Sequence, residues 1–160
     1  MLSFKNFKLF YVLGILLFCF TTYANESVEK PLTGKYTEKY HNGNPKYEVN
    51  YIAGKKEGVE IFWYISGGKY IQTTYKNDIE DGIWNQWFEN GQLKLEAHYK
   101  DGKEDGFFTL WYDNGIKRSE SNFVNGEKVG YETYWERNGD VKSKTLYKSK
   151  SLDKDNKPAN

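Results

Sequence analysis

The chain has little cysteine, little proline and almost no excess charge. Its 160 residues include one cysteine and three prolines, and 23 Lys and Arg nearly balance 22 Asp and Glu. Cys19 lies in a segment interpreted below as removable, so the mature chain would have no thiol for a disulfide, a zinc site or nucleophilic catalysis. The formal charge of +1 also lacks the basic excess of nucleic-acid-binding domains. We therefore expect no nucleic acid partner.

Residue patterns for catalysis and metal binding are missing as well. The only two histidines, His41 and His98, lie far apart in the sequence, which gives no ligand spacing for zinc. The acidic turns at 78–81 and 101–105 lack the alternating oxygen ligands of a calcium loop. The sequence contains no G-x-S-x-G turn, phosphate-binding loop or dinucleotide fingerprint. We expect no catalytic residues, no metal and no cofactor.

The N-terminal segment has the pattern of an export signal. Lys5 and Lys8 precede an uninterrupted apolar run from Leu9 to Phe20, and the small residue Ala24 offers a cleavage site. A bilayer span needs about 20 apolar residues, so an uncleaved anchor is the alternative interpretation. The sequence therefore predicts a signal peptide over 1–24 and a periplasmic or secreted protein.

Aromatic residues are abundant, and they recur with glycine at intervals of 24 residues. Tyr, Phe and Trp make up 18% of the chain, too many for a disordered one. One glycine series comprises Gly34, Gly58, Gly82, Gly106 and Gly130, and a second comprises Gly43, Gly67, Gly91, Gly115 and Gly139. This periodicity predicts five repeats, over 34–57, 58–81, 82–105, 106–129 and 130–150. A linker over 25–33 precedes them, and a disordered tail over 151–160 follows.

Each repeat contains two turn signals between strand-like segments. Asn-Gly pairs such as Asn90-Gly91 are typical of two-residue type I′ turns, and so are pairs such as Asp101-Gly102 half a repeat later. We expect two strands per repeat and an all-β fold, a continuous single-layer antiparallel meander of about ten strands. If both loops have two residues, Leu95 lies opposite Phe108 and Leu93 lies opposite Leu110.

The register within a hairpin gives the repeated glycine a reason. With Asn90-Gly91 as a two-residue loop, Gly82 lies opposite Tyr99. An aromatic ring can cover the backbone that a strand glycine exposes. The same arithmetic pairs every glycine of the first series with a ring: Gly34 with Tyr51, Gly58 with Tyr75, Gly82 with Tyr99, Gly106 with Phe123, and Gly130 with Tyr147.

The two faces of the predicted sheet differ in chemistry. One carries most of the apolar side chains and is the better candidate for burial, including Tyr64, Trp84, Leu95 and Phe108. The other carries a ladder of rings with a cation or a ring opposite each: Trp63 with Tyr70, Trp87 with Lys94, Trp111 with Arg118, and Trp135 with Lys142. This ladder has two compatible interpretations, cross-strand packing and a recognition surface.

The repeat resembles MORN repeats in their bacterial variant form, which includes antitoxin-like repeat proteins. The resemblance covers residues 34–150 and is clearest over 82–99, which read GIWNQWFENGQLKLEAHY and are followed by the turn sequence KDGK at 100–103. It implies an elongated, twisted sheet that serves as an interaction scaffold without catalytic activity. It implies no specific ligand.

These observations leave three classes of function. The first is an exported scaffold that binds a protein or another envelope component through the sheet surface. The second is a glycan-binding module that uses the tryptophan ladder, because aromatic faces suit sugar rings. The third is an antitoxin or immunity protein, suggested by the resemblance alone. Direct lipid binding is disfavoured because the mature chain has no polybasic cluster.

Overall fold

The computed structural model describes residues 33–148, which are all-β. The expected signal peptide, nearly all of the linker, the last turn at Ser149-Lys150 and the tail lie outside this range. The described chain contains eleven strands: β1 (Gly34–Lys39), β2 (Pro45–Ile52), β3 (Lys55–Lys56), β4 (Gly58–Trp63), β5 (Lys69–Lys76), β6 (Ile79–Trp87), β7 (Leu93–Lys100), β8 (Lys103–Trp111), β9 (Lys117–Val124), β10 (Glu127–Trp135) and β11 (Val141–Tyr147).

The strands form one open antiparallel sheet in a meander, as the sequence predicts. The order is β1-β2-β4-β5-β6-β7-β8-β9-β10-β11, and the short β3 pairs with β2. Strands β3 and β4 are separated at Glu57, where the later copies run as one unbroken strand. This break accounts for the one strand beyond the expected ten.

The pairing of glycine with an aromatic residue is confirmed in all five hairpins. Gly82 lies opposite Tyr99 and Gly106 lies opposite Phe123, and the other three pairs are equivalent. The glycines also have a second reason to be there, because their φ angles are positive, +127° at Gly82 and +121° at Gly106. Side chains with a Cβ rarely adopt this conformation. The glycine column is therefore fixed by the backbone as well as by the opposed ring.

The two loop types differ from the expectation. At Asp101-Gly102 both residues have positive φ, 49° and 76°, as a type I′ turn requires. At the other loop only Gly91 has positive φ, 84°. The Phe88 N–H donates to Gln92 O at 2.8 Å, and the Gly91 N–H donates to Phe88 O at 2.9 Å. The Asn-Gly loop thus has three residues, a type I turn completed by glycine, and the two-residue prediction is wrong there.

This longer loop changes the pairing beside it. Trp87 lies opposite Leu93, and Gln86 lies opposite Leu95, so Lys94 is an extra residue in a β-bulge. Phe88 therefore pairs with Gln92, whereas a two-residue loop would place Leu93 opposite it.

A second irregularity lies between consecutive hairpins. Leu95 lies opposite Leu110 and Ala97 opposite Phe108, so the predicted pairs of Leu95 with Phe108 and Leu93 with Leu110 are wrong by two residues. The shift occurs between Ala97 and Tyr99, around the positive-φ glycine of the facing strand. Because side chains alternate with a period of two, a shift of two leaves the faces unchanged.

Successive hairpins are connected by side chains at their three-residue loops. The Tyr112 hydroxyl donates to Trp135 O at 2.9 Å, and Asn114 Nδ2 donates to Arg137 O at 2.9 Å. The side-chain oxygen Asn114 Oδ1 also accepts from the Ile116 N–H at 3.1 Å, which closes its own loop. Equivalent hydroxyl bonds run from Tyr40 to Trp63 and from Tyr64 to Trp87. The asparagine is therefore selected for these bonds and not for positive φ.

The two-residue turns at the other ends of the strands are also connected from one hairpin to the next. Asp81 Oδ2 accepts from the Asp101 N–H at 3.3 Å, and Asp105 Oδ2 accepts from the Asn125 N–H at 3.2 Å. The Gly126 N–H donates to Glu104 O at 2.8 Å. The acidic residues at these turns thus cap the turn of the following hairpin, which gives them a structural role.

The sheet has no second layer among the described residues, and few side chains are fully buried. Among residues 33–148 the buried apolar ones are Val49, Tyr51 and Ala97. The apolar face chosen from the sequence is the better protected one, since the buried Val49 and Ala97 lie on it, opposite Tyr36 and Trp84. No helix in the described part of the chain has the length and apolar character to cross a membrane.

We predict that Gly106→Ala destabilises the protein more than Gly34→Ala. Both positions have φ near +121°, which costs an alanine about 1–3 kcal/mol of strain. At Gly106 a Cβ would also lie 3.0 Å from His98 Cβ, whereas at Gly34 it meets open space. Gly68→Ala, with neither problem, should change stability by no more than about 0.5 kcal/mol. Urea unfolding measures the stability of the three variants. Equal losses in Gly106→Ala and Gly34→Ala would contradict the predicted clash with His98.

We predict opposite effects from two changes in the tyrosine column. Tyr112→Phe removes the hydroxyl bond to Trp135 O and should lower the unfolding free energy by about 1 kcal/mol. Phe88→Tyr supplies the hydroxyl that the third hairpin lacks and should raise stability by up to about 1 kcal/mol. Thermal unfolding of both variants checks this, and a stabilised Tyr112→Phe protein would refute the proposed bond.

Candidate functional site

The predicted ring and cation pairs are displaced by one residue. The bulge that contains Lys94 brings its Nζ over the Phe88 ring, 5.6 Å from the centroid, and away from the predicted partner Trp87. In the preceding hairpin Tyr70 packs on Tyr64, with ring centroids 4.7 Å apart, and the residue opposite Trp63 is Lys69.

The other two predicted pairs follow the same rule. Trp111 lies opposite Lys117 where Arg118 was expected, and Trp135 lies opposite Val141 where Lys142 was expected. Lys142 instead forms an ion pair with Glu136 at 3.3 Å. All four pairings made from a two-residue loop are therefore wrong by one position.

Five of the seven residues assigned to the candidate binding face nevertheless come together at the ends of the strands that the three-residue loops connect. Lys94, Trp111 and Arg118 line a cleft of about 260 Å³, with Phe88 and Tyr112. Arg118, Trp135 and Lys142 line a second cleft of about 400 Å³. Tyr112 and Arg118 belong to both, so the two clefts adjoin.

The remaining two members of the predicted ladder lie outside these clefts. Trp63 and Trp87 are half-buried, and their carbonyl oxygens accept hydroxyl bonds from the preceding hairpin. Lys69 Nζ lies 5.5 Å from the centroid of the Trp87 ring. These two tryptophans thus connect hairpins, while Trp111 and Trp135 also form cleft walls.

Positive charge is concentrated in the two clefts. Their walls contain Lys94, Arg118, Arg137 and Lys142 but only one acid, Asp113, which forms an ion pair with Arg137. Within residues 33–148, the side chain of Arg118 makes no hydrogen bond or ion pair. Its exposed guanidinium, at the wall shared by the clefts, is therefore available to an anionic group.

An exposed apolar column on the tryptophan face was not singled out by the sequence analysis. Its members are exposed by 43% to 55% and follow the repeat spacing: Val59, Ile83, Phe107 and Tyr131. Each comes directly after a repeat-start glycine, so the 24-residue column alone could have found it. The column is a second accessible surface, distinct from the clefts.

Two buried carboxylates replace aromatic residues on the better-protected face. Glu60 accepts bonds from Tyr47 at 2.6 Å and from Lys56 at 2.5 Å. Glu132 accepts from Lys128 at 2.5 Å and from Tyr147 at 2.9 Å. Each acid is thus paired with the lysine four residues before it and with a tyrosine hydroxyl.

These clusters shift the titration of their members. Burial would raise the pKa of Glu132, but hydrogen bonds from Lys128, Tyr147, Ser121 and Tyr134 lower it to about 2. Burial and the bond to Glu60 raise the pKa of Tyr47. Because lysine and tyrosine side chains donate to these buried carboxylates, the clusters stabilise the hairpins. Among the described residues, no group of three or more His, Cys, Asp and Glu side chains is placed to hold a metal.

We predict that Glu132 makes stability fall in acid. Its folded pKa of about 2 lies below the ordinary 4.5, so its contribution is present above about pH 4.5 and is lost as pH falls toward 2. The loss should be about 2–3 kcal/mol. Urea unfolding between pH 2 and 6 measures it. Glu132→Gln should be less stable at pH 6 and should have a flatter profile, and an unchanged slope would contradict the assignment.

Comparison with known proteins identifies the repeat. No curated protein matches the chain. The family model described as the MORN repeat variant matches residues 32–53 and 80–101, which correspond to the β1–β2 and β6–β7 hairpins. MORN repeats typically serve as scaffolds for protein or membrane interactions and are generally non-enzymatic. The chain therefore carries MORN repeats of the variant type in these two segments.

Proposed function

We propose that this chain is an exported, non-enzymatic repeat scaffold that binds a protein or another cell-envelope component through the surface of its sheet. The observation that carries the proposal is the pair of adjoining clefts with Arg118 at their shared wall. Aromatic and arginine side chains contribute strongly when a partner desolvates them. Export is supported by the N-terminal pattern of Lys5, Lys8 and the apolar run that follows them.

The exposed apolar column supports an interaction role in a second way. Side chains such as Ile83 and Phe107 are 43% and 54% exposed on a sheet that no second layer covers within the described residues. Exposed apolar side chains that recur in a row in this way are candidates for contact with a partner.

Glycan binding is the second candidate, favoured by the composition of the cleft walls. Trp111 and Tyr112 line the first cleft, and Tyr134 and Trp135 line the second. Aromatic faces suit the apolar faces of sugar rings. In this case the cations would orient polar or acidic substituents.

We predict that charge reversal in the clefts abolishes capture of an envelope partner. The chain purified from the envelope fraction is immobilised as bait beside two double variants. Arg118→Glu with Lys142→Glu should lose the partner that the unaltered chain retains. Lys76→Glu with Lys100→Glu, which alters exposed lysines next to the two-residue turns at the other ends of the strands, should retain it.

Capture of nothing by the unaltered chain, or equal capture by all three baits, would overturn the proposal. Tryptophan fluorescence during titration with envelope glycans separates the two candidates. A response to a glycan that Arg118→Glu leaves intact and Trp135→Phe weakens would favour the glycan-binding alternative. The N-terminal residue of the purified chain tests export, with Asn25 expected after cleavage behind Ala24.

A further inference from the structure

Three cations recur at one position of consecutive hairpins. Lys94 lies on β7, Arg118 on β9 and Lys142 on β11, each 24 residues from the next. All three line the adjoining clefts. We propose that these clefts bind an extended acidic peptide whose carboxylates contact Lys94, Arg118 and Lys142 in turn. This inference rests on the proposed function and specifies the chemistry of the partner.

The charges in the clefts are complementary to carboxylates. Arg137 is already paired with Asp113, but Arg118 has no ion-pair partner in residues 33–148. A guanidinium binds a carboxylate through two parallel hydrogen bonds. The exposed pair of Lys142 with Glu136, at 3.3 Å, is of a kind that contributes little, so Lys142 can exchange that acid for another.

Protection of the sheet edge does not explain the row. Lysines on edge strands prevent unwanted strand pairing, and this accounts for Lys142 on β11. Arg118 lies on β9, however, which is paired on both sides. Lys94 lies on β7, which is also paired on both sides. Two of the three cations are therefore internal to the sheet. Lys94 contacts the Phe88 ring, with its Nζ 5.6 Å from the centroid, whereas the Arg118 side chain has no ion-pair or ring partner within residues 33–148 and needs another reason for its position.

The spacing of the cations matches an extended peptide. Residues at the same position of successive hairpins are two strands apart, about 10 Å before twist. A peptide in the polyproline II conformation advances about 3.1 Å per residue with three residues per turn, so every third side chain lies on the same side, about 9 Å from the next. A peptide with an acid at every third position would place one carboxylate at each cation.

The walls between the cations suit the neutral residues of such a peptide. Trp111, Tyr112 and Trp135 present aromatic surface between the charged positions, and neutral side chains between the acids can pack on these rings. A nucleic acid is the less favoured occupant because the formal charge of +1 lacks the basic excess of nucleic-acid-binding domains.

The test is fluorescence anisotropy with the full-length mature chain and labelled twelve-residue peptides. The first peptide has Glu at every third position, the second has the same four Glu clustered at one end, and the third has Gln in their place. We expect the spaced peptide to bind at least several-fold more tightly than the clustered one. The Gln peptide should not bind, and added salt should weaken binding of the spaced peptide.

Variants identify the site. Arg118→Gln should weaken binding of the spaced peptide about tenfold or more. Lys94→Gln should weaken it less, and Lys100→Gln, an exposed lysine outside the clefts, should leave it unchanged. Unfolding midpoints of the variants check that the fold is intact, which is expected because Arg118 has no structural partner in residues 33–148.

Four results would overturn the inference: no binding of the spaced peptide, equal binding of the clustered peptide, the same affinity for Arg118→Gln, or tighter binding of an oligonucleotide of equal charge. These outcomes are distinct from failure of the proposed function. An envelope partner that is captured by the unaltered chain and also by Arg118→Gln would leave the scaffold proposal standing and remove only the acidic-peptide inference.

Discussion

A sheet without a second layer has to obtain its stability from contacts between neighbouring hairpins. Only Val49, Tyr51 and Ala97 are fully buried apolar residues within the described chain. Hydrogen bonds that join residues 20 to 24 positions apart contribute in place of a core. The Tyr112 hydroxyl donates to Trp135 O at one end of the strands, and the Asn125 N–H donates to Asp105 at the other. Such bonds tolerate no change in repeat length. The constant spacing of 24 residues follows from this requirement, since one inserted residue would misalign donors and acceptors at both edges.

The same requirement explains which features could be predicted from the sequence. The pairs of glycine with an aromatic residue, such as Gly82 with Tyr99, depend on arithmetic within one hairpin and are correct. The loop between them was assigned one residue too few, yet the bulge at Lys94 inserts one residue into the opposite strand. The two errors compensate beyond the bulge. Within a hairpin, only the residues between the loop and the bulge are misplaced, and these include the ring and cation pairs. Between hairpins, the pairing is shifted by two residues, which leaves the faces unchanged.

The choice between the two loop types could not be made from Asn-Gly alone. Both a type I′ turn and a type I turn followed by a glycine in the left-handed region accept that pair. The recurring asparagine has a tertiary role, because Asn90 and Asn114 each donate to a carbonyl of the next hairpin. Local propensity does not reveal a partner 23 residues away. The clefts depend on the bulge in the same way, since it turns Lys94 toward Phe88.

The row of available cations does not extend into the first two hairpins, because the residues at the equivalent positions there are engaged with neighbouring side chains. In the second hairpin the equivalent position is Tyr70, which packs on Tyr64, and in the first it is Lys46, which pairs with Glu38 at 3.0 Å. Repeats that are similar in backbone thus differ in what they offer to a ligand. The N-terminal hairpins satisfy their own side chains, whereas the C-terminal three leave Arg118 unpaired within the described chain. Since the hairpin contacts recur along the whole sheet, this difference is not needed for folding, and it is the feature on which selection for a partner could act.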